Sequence, residues 1–119
     1  MLEDPESIFL QSKLADLRDL QGRYEDVVKI YRAILARDDA SEQRKAIAMN
    51  NLAFVLALAD RPLGDPAEAL KLTEKSLSIL GPSGDLLDTR GMAHLGLGNI
   101  KQARSDIETA IADSAAATK

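Results

Sequence analysis

Two pairs of aspartates, one histidine and one glycine-containing turn are the residues whose types and spacing could do chemistry in this chain. Asp16 and Asp19, and likewise Asp85 and Asp88, lie three residues apart. On a helix that spacing puts two carboxylates on one face, one turn apart, where they could hold a cation. No histidine or liganding loop joins either pair, so a solvated helix face accounts for them more simply. His94 is the sole histidine. As a general base it would need a nucleophile or a substrate site within reach, and the sequence offers neither. Packing between helices explains it better. The stretch Gly96-Leu97-Gly98-Asn99-Ile100-Lys101 holds a fragment of a phosphate-loop pattern. Its third glycine is missing and no strand precedes it, so it reads as a turn between helices. With no cysteine there is no thiolate metal site, disulfide framework or cysteine nucleophile. The residues therefore imply no cofactor, no metal and no catalysis.

What must position these residues follows from composition and periodicity. A chain of 119 residues is one domain's worth. Its 45% hydrophobic content supports a continuous core, but only 3% of residues are aromatic, so Leu, Ile, Val and Ala must build it. Small aliphatic residues suit closely packed helices better than a β-sandwich. The net charge of −4 argues against nucleic-acid affinity, which needs clustered Lys and Arg. The opening Met1-Leu2-Glu3-Asp4-Pro5-Glu6 has neither the basic nor the apolar region of a signal peptide, and no apolar run is long enough to cross a bilayer. The expectation is a soluble chain without membrane insertion, with the cytoplasm favoured.

Six helices are predicted. The first opens with Asp4 as cap and Pro5 in its first turn, carries Phe9, Leu10, Leu14, Leu17 and Leu20, and stops at Gly22. The second covers about residues 24–37, with a wide stripe of Val27, Val28, Ile30, Tyr31, Ile34 and Leu35. Asp39 with Glu42 resembles a capping box for a third helix over about residues 42–59, apolar nearly all round from Ile47 onward and so expected to be the most buried. Asp65 caps a fourth helix from Pro66, which Gly81-Pro82-Ser83-Gly84 ends. The fifth and sixth cover about residues 85–97 and 100–113, with 114–119 as a frayed tail. No segment alternates long enough to form a strand.

Between paired helices stand Gly22, Gly64 and Gly98, each followed five residues later by Val27, Ala69 or Ala103. The second interval is 34 residues; the first is 42, with eight residues inserted. In the third unit Leu87, Gly91, Gly98, Ala103, Ile107 and Ala110 fall in one register, matched by Leu14, Ala15, Gly22, Val27 and Tyr31 in the first and by Leu52, Ala53, Gly64, Ala69 and Ser76 in the second. This pattern resembles the tetratricopeptide (TPR) repeat. The resemblance implies an all-α fold of three antiparallel helix-turn-helix hairpins stacked as a right-handed α-solenoid. It spans residues 1–113, with repeats at about 8–41, 46–83 (where the turn is lengthened) and 84–113. Thr73, Arg90 and His94 depart from the family pattern at usually apolar or aromatic positions, which predicts a looser third hairpin.

The resemblance also implies a non-catalytic scaffold that binds a peptide or protein segment along the concave face formed by the first helix of each repeat. Carried onto this chain, that face comprises Phe9, Ser12, Asp16 and Asp19, then Ile47, Asn50, Phe54 and Ala57, then Asp85, Asp88, Met92 and Leu95. Acids at both ends and an apolar middle suit a hydrophobic anchor flanked by Lys or Arg. A carboxylate clamp of the kind some family members use is excluded. Asp16, Asp85 and Thr89 stand where its Asn, Lys and Arg would be, and only Asn51 agrees. An alternative is structural: Ile100, Ile107 and Ile111 on the last helix have no seventh helix to cover them. The chain then reads as a spacer within a longer array, or as a unit that pairs with another copy through Ile107 and Ile111.

Overall fold

A computed structural model of the chain describes residues 5–57 and 63–117, with side chains placed for residues 10, 11, 13–15, 17–19, 21–57 and 63–113. Six helices follow one another: α1 (Pro5–Leu20), α2 (Tyr24–Leu35), α3 (Glu42–Leu56), α4 (Pro66–Leu80), α5 (Gly84–Gly96) and α6 (Ile100–Ala117). Among the described residues there is no strand, and no helix is long and apolar enough to cross a membrane. Each helix packs on the next in sequence and α3 also touches α5, while α1 packs on α2 alone. The result is an elongated body of 46 × 34 × 23 Å.

The turns explain the spacing of two of the three repeated glycines. At Gly22, φ is +71°. Its N–H donates to the carbonyl of Asp19 at 3.0 Å, and the Arg23 N–H donates to Arg18 at 2.9 Å. The same motif recurs at Gly98 (φ +80°), with donation to Leu95 at 3.0 Å and from Asn99 to His94 at 2.8 Å. This is the Schellman closure of a helix end, which requires a left-handed residue and so selects glycine. Gly64 does not share that conformation; in the longer second turn the Asp65 N–H reaches back to the Leu56 carbonyl at 2.7 Å. His94 sits half-buried beside the Gly98 turn, with its Nδ1 3.2 Å from the Asn99 side-chain amide, so it staples the helix end.

Several helix boundaries differ from expectation. Asp65 caps α4 as predicted, accepting from the Glu68 N–H at 3.1 Å. The α3 cap, however, is Ser41, whose hydroxyl accepts from the Arg44 N–H at 3.2 Å. Asp39 is engaged elsewhere: Arg37 grips its carboxylate through Nε (2.9 Å) and Nη2 (2.7 Å) and also donates to Gln11 of α1. The hydrogen bond from Arg37 holds the Asp39 carboxyl below its ordinary pKa. Ser83 caps α5, its hydroxyl accepting from the Leu86 N–H at 3.3 Å. Helix α2 stops at Leu35, two residues early, and α6 runs on to Ala117, through the first part of the expected tail. The stretch 58–62, which includes most of the predicted inserted turn, lies outside the described residues, as do 118–119.

Small residues set how closely the helices approach. Ala15, Ala53 and Gly91 occupy one register of α1, α3 and α5, and all three are buried. A methyl group added at Gly91 would lie 2.8 Å from Ile107 Cγ1 and 3.3 Å from the Ala103 carbonyl oxygen. One added at Gly96 would meet the Ala57 carbonyl oxygen at 2.8 Å and Pro66 at 2.9 Å. The aliphatic core is centred on α3, with Leu52, Ala53, Val55 and Leu56 packed against Val27, Tyr31 and Ile34 of α2 and Ala69 of α4. Of the described helices α3 has the most buried residues, yet Ile47 and Phe54 on it face outward.

Polar substitutions in the repeat pattern are satisfied locally. Thr73 and Ser76 are fully buried on α4. Their hydroxyls donate to the carbonyls of Ala69 and Ala46, each at 2.7 Å, and the second bond ties α4 to α3. Arg90 is paired across the α5–α6 seam. Its Nε and Nη2 each donate to Asp106 of α6 at 2.8 Å, a bidentate pair that bridges the seam.

Candidate binding cleft

Four helices contribute to an open cleft of about 260 Å³. Helix α1 supplies Asp19, α2 supplies Val27 and Tyr31, α3 supplies Asn50, Asn51, Phe54 and Val55, and α5 supplies Asp85, Asp88 and Thr89. The buried Val27, Tyr31 and Val55 make its floor, and Phe54 stands at its wall with 39% of its surface exposed. Among the described residues three carboxylates line it and no Lys or Arg does. Asp85 and Asp88 are solvent-exposed, while Asp19 is half-buried. Asn50 is half-buried; its Oδ1 is enclosed and has no hydrogen-bond partner. An enclosed amide atom without a partner costs free energy until something supplies one.

An adjoining hollow is lined by Ile47, Asn50, Asn51, Leu80, Gly81, Ser83, Asp85 and Leu86, so the acid-lined cleft continues toward an exposed isoleucine. Asp85 and Asp88 also border a third recess with Ala110, Ile111 and Asp113. There Asp113 Oδ2 accepts from the Gly84 N–H at 3.1 Å. Among the described residues no three His, Asp or Glu side chains form a group able to hold a metal ion. The arrangement offers hydrogen-bond acceptors and negative charge around an aromatic side chain.

Of the residues expected on the concave face, Asp19, Asn50, Phe54, Asp85 and Asp88 meet in one cleft, and Ile47 lies in the hollow beside it. The side chains of Phe9, Ser12 and Asp16 lie outside the described residues. Ala57 is fully buried, because it closes the end of α3 where Gly96 and Pro66 approach. Met92 is packed half-buried against the core, and neither it nor the exposed Leu95 lines the cleft. Ile107 is packed over Gly91 within the α5–α6 seam, whereas Ile111 is exposed. The floor residues from α2 were not foreseen as part of the site. Their apolar stripe was legible, but not that its edge would remain open between α1, α3 and α5.

Compared with known proteins, the chain matches no protein-family model, no curated protein and no solved structure, so its functional reading rests on its own residues.

Proposed function

We propose that the chain is a stack of three TPR-like helix pairs acting as a non-catalytic protein-interaction module, which takes an extended peptide segment in the α1–α3–α5 cleft. The carrying observation is the convergence of Asp19, Asp85 and Asp88 around Phe54, with no cation among the described lining residues. Charge complementarity selects a segment bearing Lys or Arg, and an apolar side chain seated on Phe54 and toward Ile47 supplies the buried area. Support for the repeat reading comes from the matching turns at Gly22 and Gly98 and from the shared register of Ala15, Ala53 and Gly91.

The test is panning of a random peptide library against the wild-type chain and an Asp85→Lys, Asp88→Lys variant whose fold is checked by circular dichroism. Both aspartates are exposed, so the exchange should leave the helices intact. Wild type is expected to enrich segments with Lys or Arg flanking a large apolar residue, and the variant to lose them. Enrichment of acidic segments, or equal enrichment by both proteins, would sink the acid-lined cleft as the binding site.

A further inference from the structure

Asp85 and Asp88, in the first two turns of α5, form a ridge between two hollows. Toward α3 they line the cleft with Phe54, and toward α6 they line a recess of about 450 Å³ with Ala110, Ile111 and Asp113. The recess repeats the chemistry of the cleft. Each hollow has an exposed apolar side chain, Phe54 at 39% and Ile111 at 64%. Each also has carboxylates and no Lys or Arg among its described lining residues. Ile111 differs from its neighbours on α6. Arg104, Ser105 and Glu108 are exposed and polar, and Ile107, one turn earlier, is packed over Gly91. Asp113 is held in place, because its Oδ2 accepts from the Gly84 N–H at 3.1 Å. That bond ties the C-terminal part of α6 to the start of α5 and fixes the far wall of the recess.

We infer that the segment bound in the cleft continues over this ridge and seats a second apolar side chain on Ile111, so that the partner presents Lys or Arg between two large apolar residues. The inference rests on the cleft reading and adds to it the order and spacing of the partner's residues. Two observations select this occupant. The first is continuity. The same two carboxylates border both hollows, so a chain whose cation reaches Asp85 or Asp88 from the cleft has its next residues over the recess. The second is charge complementarity. Asp85, Asp88 and Asp113 favour a cationic segment and repel an acidic one, while Ile111 offers apolar area that a purely polar basic segment leaves unfilled. Helix packing sets the spacing. Helix α5 packs on both α3 and α6, and packed helix axes lie about 8–10 Å apart, which puts Phe54 and Ile111 about two such steps from each other. An extended segment advances about 3.3 Å per residue and points alternate side chains to one face. The two apolar residues therefore stand about six positions apart, and the alternate positions between them, over α5, carry the cations.

Isothermal titration calorimetry on the full chain with three synthetic peptides of equal charge tests it. The first carries lysines and a single leucine, with serine at the second anchor position. The second has leucine at that position. The third moves this added leucine to half the spacing, where it points away from the protein. Wild type is expected to bind the second peptide about tenfold tighter than the first or the third. An Ile111→Gln variant, whose helix content is checked by circular dichroism, should bind all three alike, with the affinity wild type shows for the first. Ile111 is exposed, so the exchange should leave the fold intact. Binding of the first peptide without any gain for the second, a gain that ignores spacing, or a gain that persists in Ile111→Gln would each overturn the second anchor and leave the cleft reading standing. Failure of all three peptides to bind wild type would overturn the cleft reading and this inference with it. The spacing comparison uses wild type alone, so it decides the matter whatever the variant does.

Discussion

At the Ala15 register of α1 a methyl group fits in the seam with α2, fully buried. At the equivalent Gly91 of α5 even a methyl group would press to 2.8 Å from Ile107. The two end pairs of the molecule share a register and differ in how they are closed. The α5–α6 pair is drawn tight by Gly91 and bridged by the Arg90–Asp106 bonds, and its outer surface is polar. Across the α1–α2 pair the ion pair is longer, Arg18 Nε to Asp26 Oδ2 at 4.0 Å, and Arg37 beyond α2 holds α1 through Gln11. Its leucines remain uncovered. Closeness within a helix pair and coverage of its outer face are therefore separate properties, set by different residues: the small residue decides the first and the neighbour decides the second.

That comparison can be broken most forcefully at the small-residue register. Gly91→Val should destabilise by about 3 kcal/mol, because Ala103 backbone cannot yield and Ile107 must leave its rotamer. Ala15→Gly should cost only about 1 kcal/mol, mostly chain entropy in a helix interior. Urea unfolding midpoints measure both, and equal costs would mean that the two seams are equally tight.

The bridge comes next. Asp106→Ala leaves the Arg90 guanidinium, half-sheltered in the seam, without either of its bonds, and should cost about 2 kcal/mol. Glu68→Ala removes a similarly drawn pair with Arg32 between α4 and α2, at 2.8 and 3.1 Å. There the guanidinium is half exposed, and the loss should be about 0.5 kcal/mol. If the two substitutions cost the same, burial is not what distinguishes the bridges.

A smaller effect sharpens the account of the α2–α3 connection. The hydrogen bond from Arg37 lowers the Asp39 pKa from its ordinary 3.8. A carboxyl whose folded pKa is depressed stabilises the fold above the unfolded value, and that contribution is lost as pH falls through the folded one. Acid unfolding of wild type should therefore include a component below about pH 3.8 that Asp39→Asn lacks, seen as a shallower pH dependence of thermal midpoints in that range. Identical pH profiles would remove Asp39 from the acid response.

Much of the architecture was legible because it rests on local chemistry. Helix periodicity placed six helices, Asp65 and Pro66 announced the start of α4, and Gly22 and Gly98 marked left-handed helix ends. Where reading failed, a distant partner decided. Asp39 looked like the α3 cap, but Arg37 occupies its carboxylate and leaves the cap to Ser41. In the cleft, Asp19, Asn50, Phe54, Asp85 and Asp88 were expected from the resemblance to the TPR pattern, which assigns them to one face. Ala57 and Met92 share that register, yet α4 and the core close over them, which no spacing within α3 or α5 encodes. The leucines of α1 illustrate the converse. Their pattern matches a buried stripe, and only the absence of a covering helix among the described residues makes it a surface.

The most direct test of the cleft is amide chemical-shift mapping of the isotopically labelled chain with a short peptide that carries one large apolar residue flanked by lysines, and with its glutamate-flanked twin. The account predicts saturable shifts at Asn50, Asn51, Phe54, Asp85 and Asp88 with the lysine peptide only, while the amides of Leu10, Leu14 and Leu17 stay unmoved. Shifts confined to α1 or α6, or a stronger response to the glutamate peptide, would contradict it.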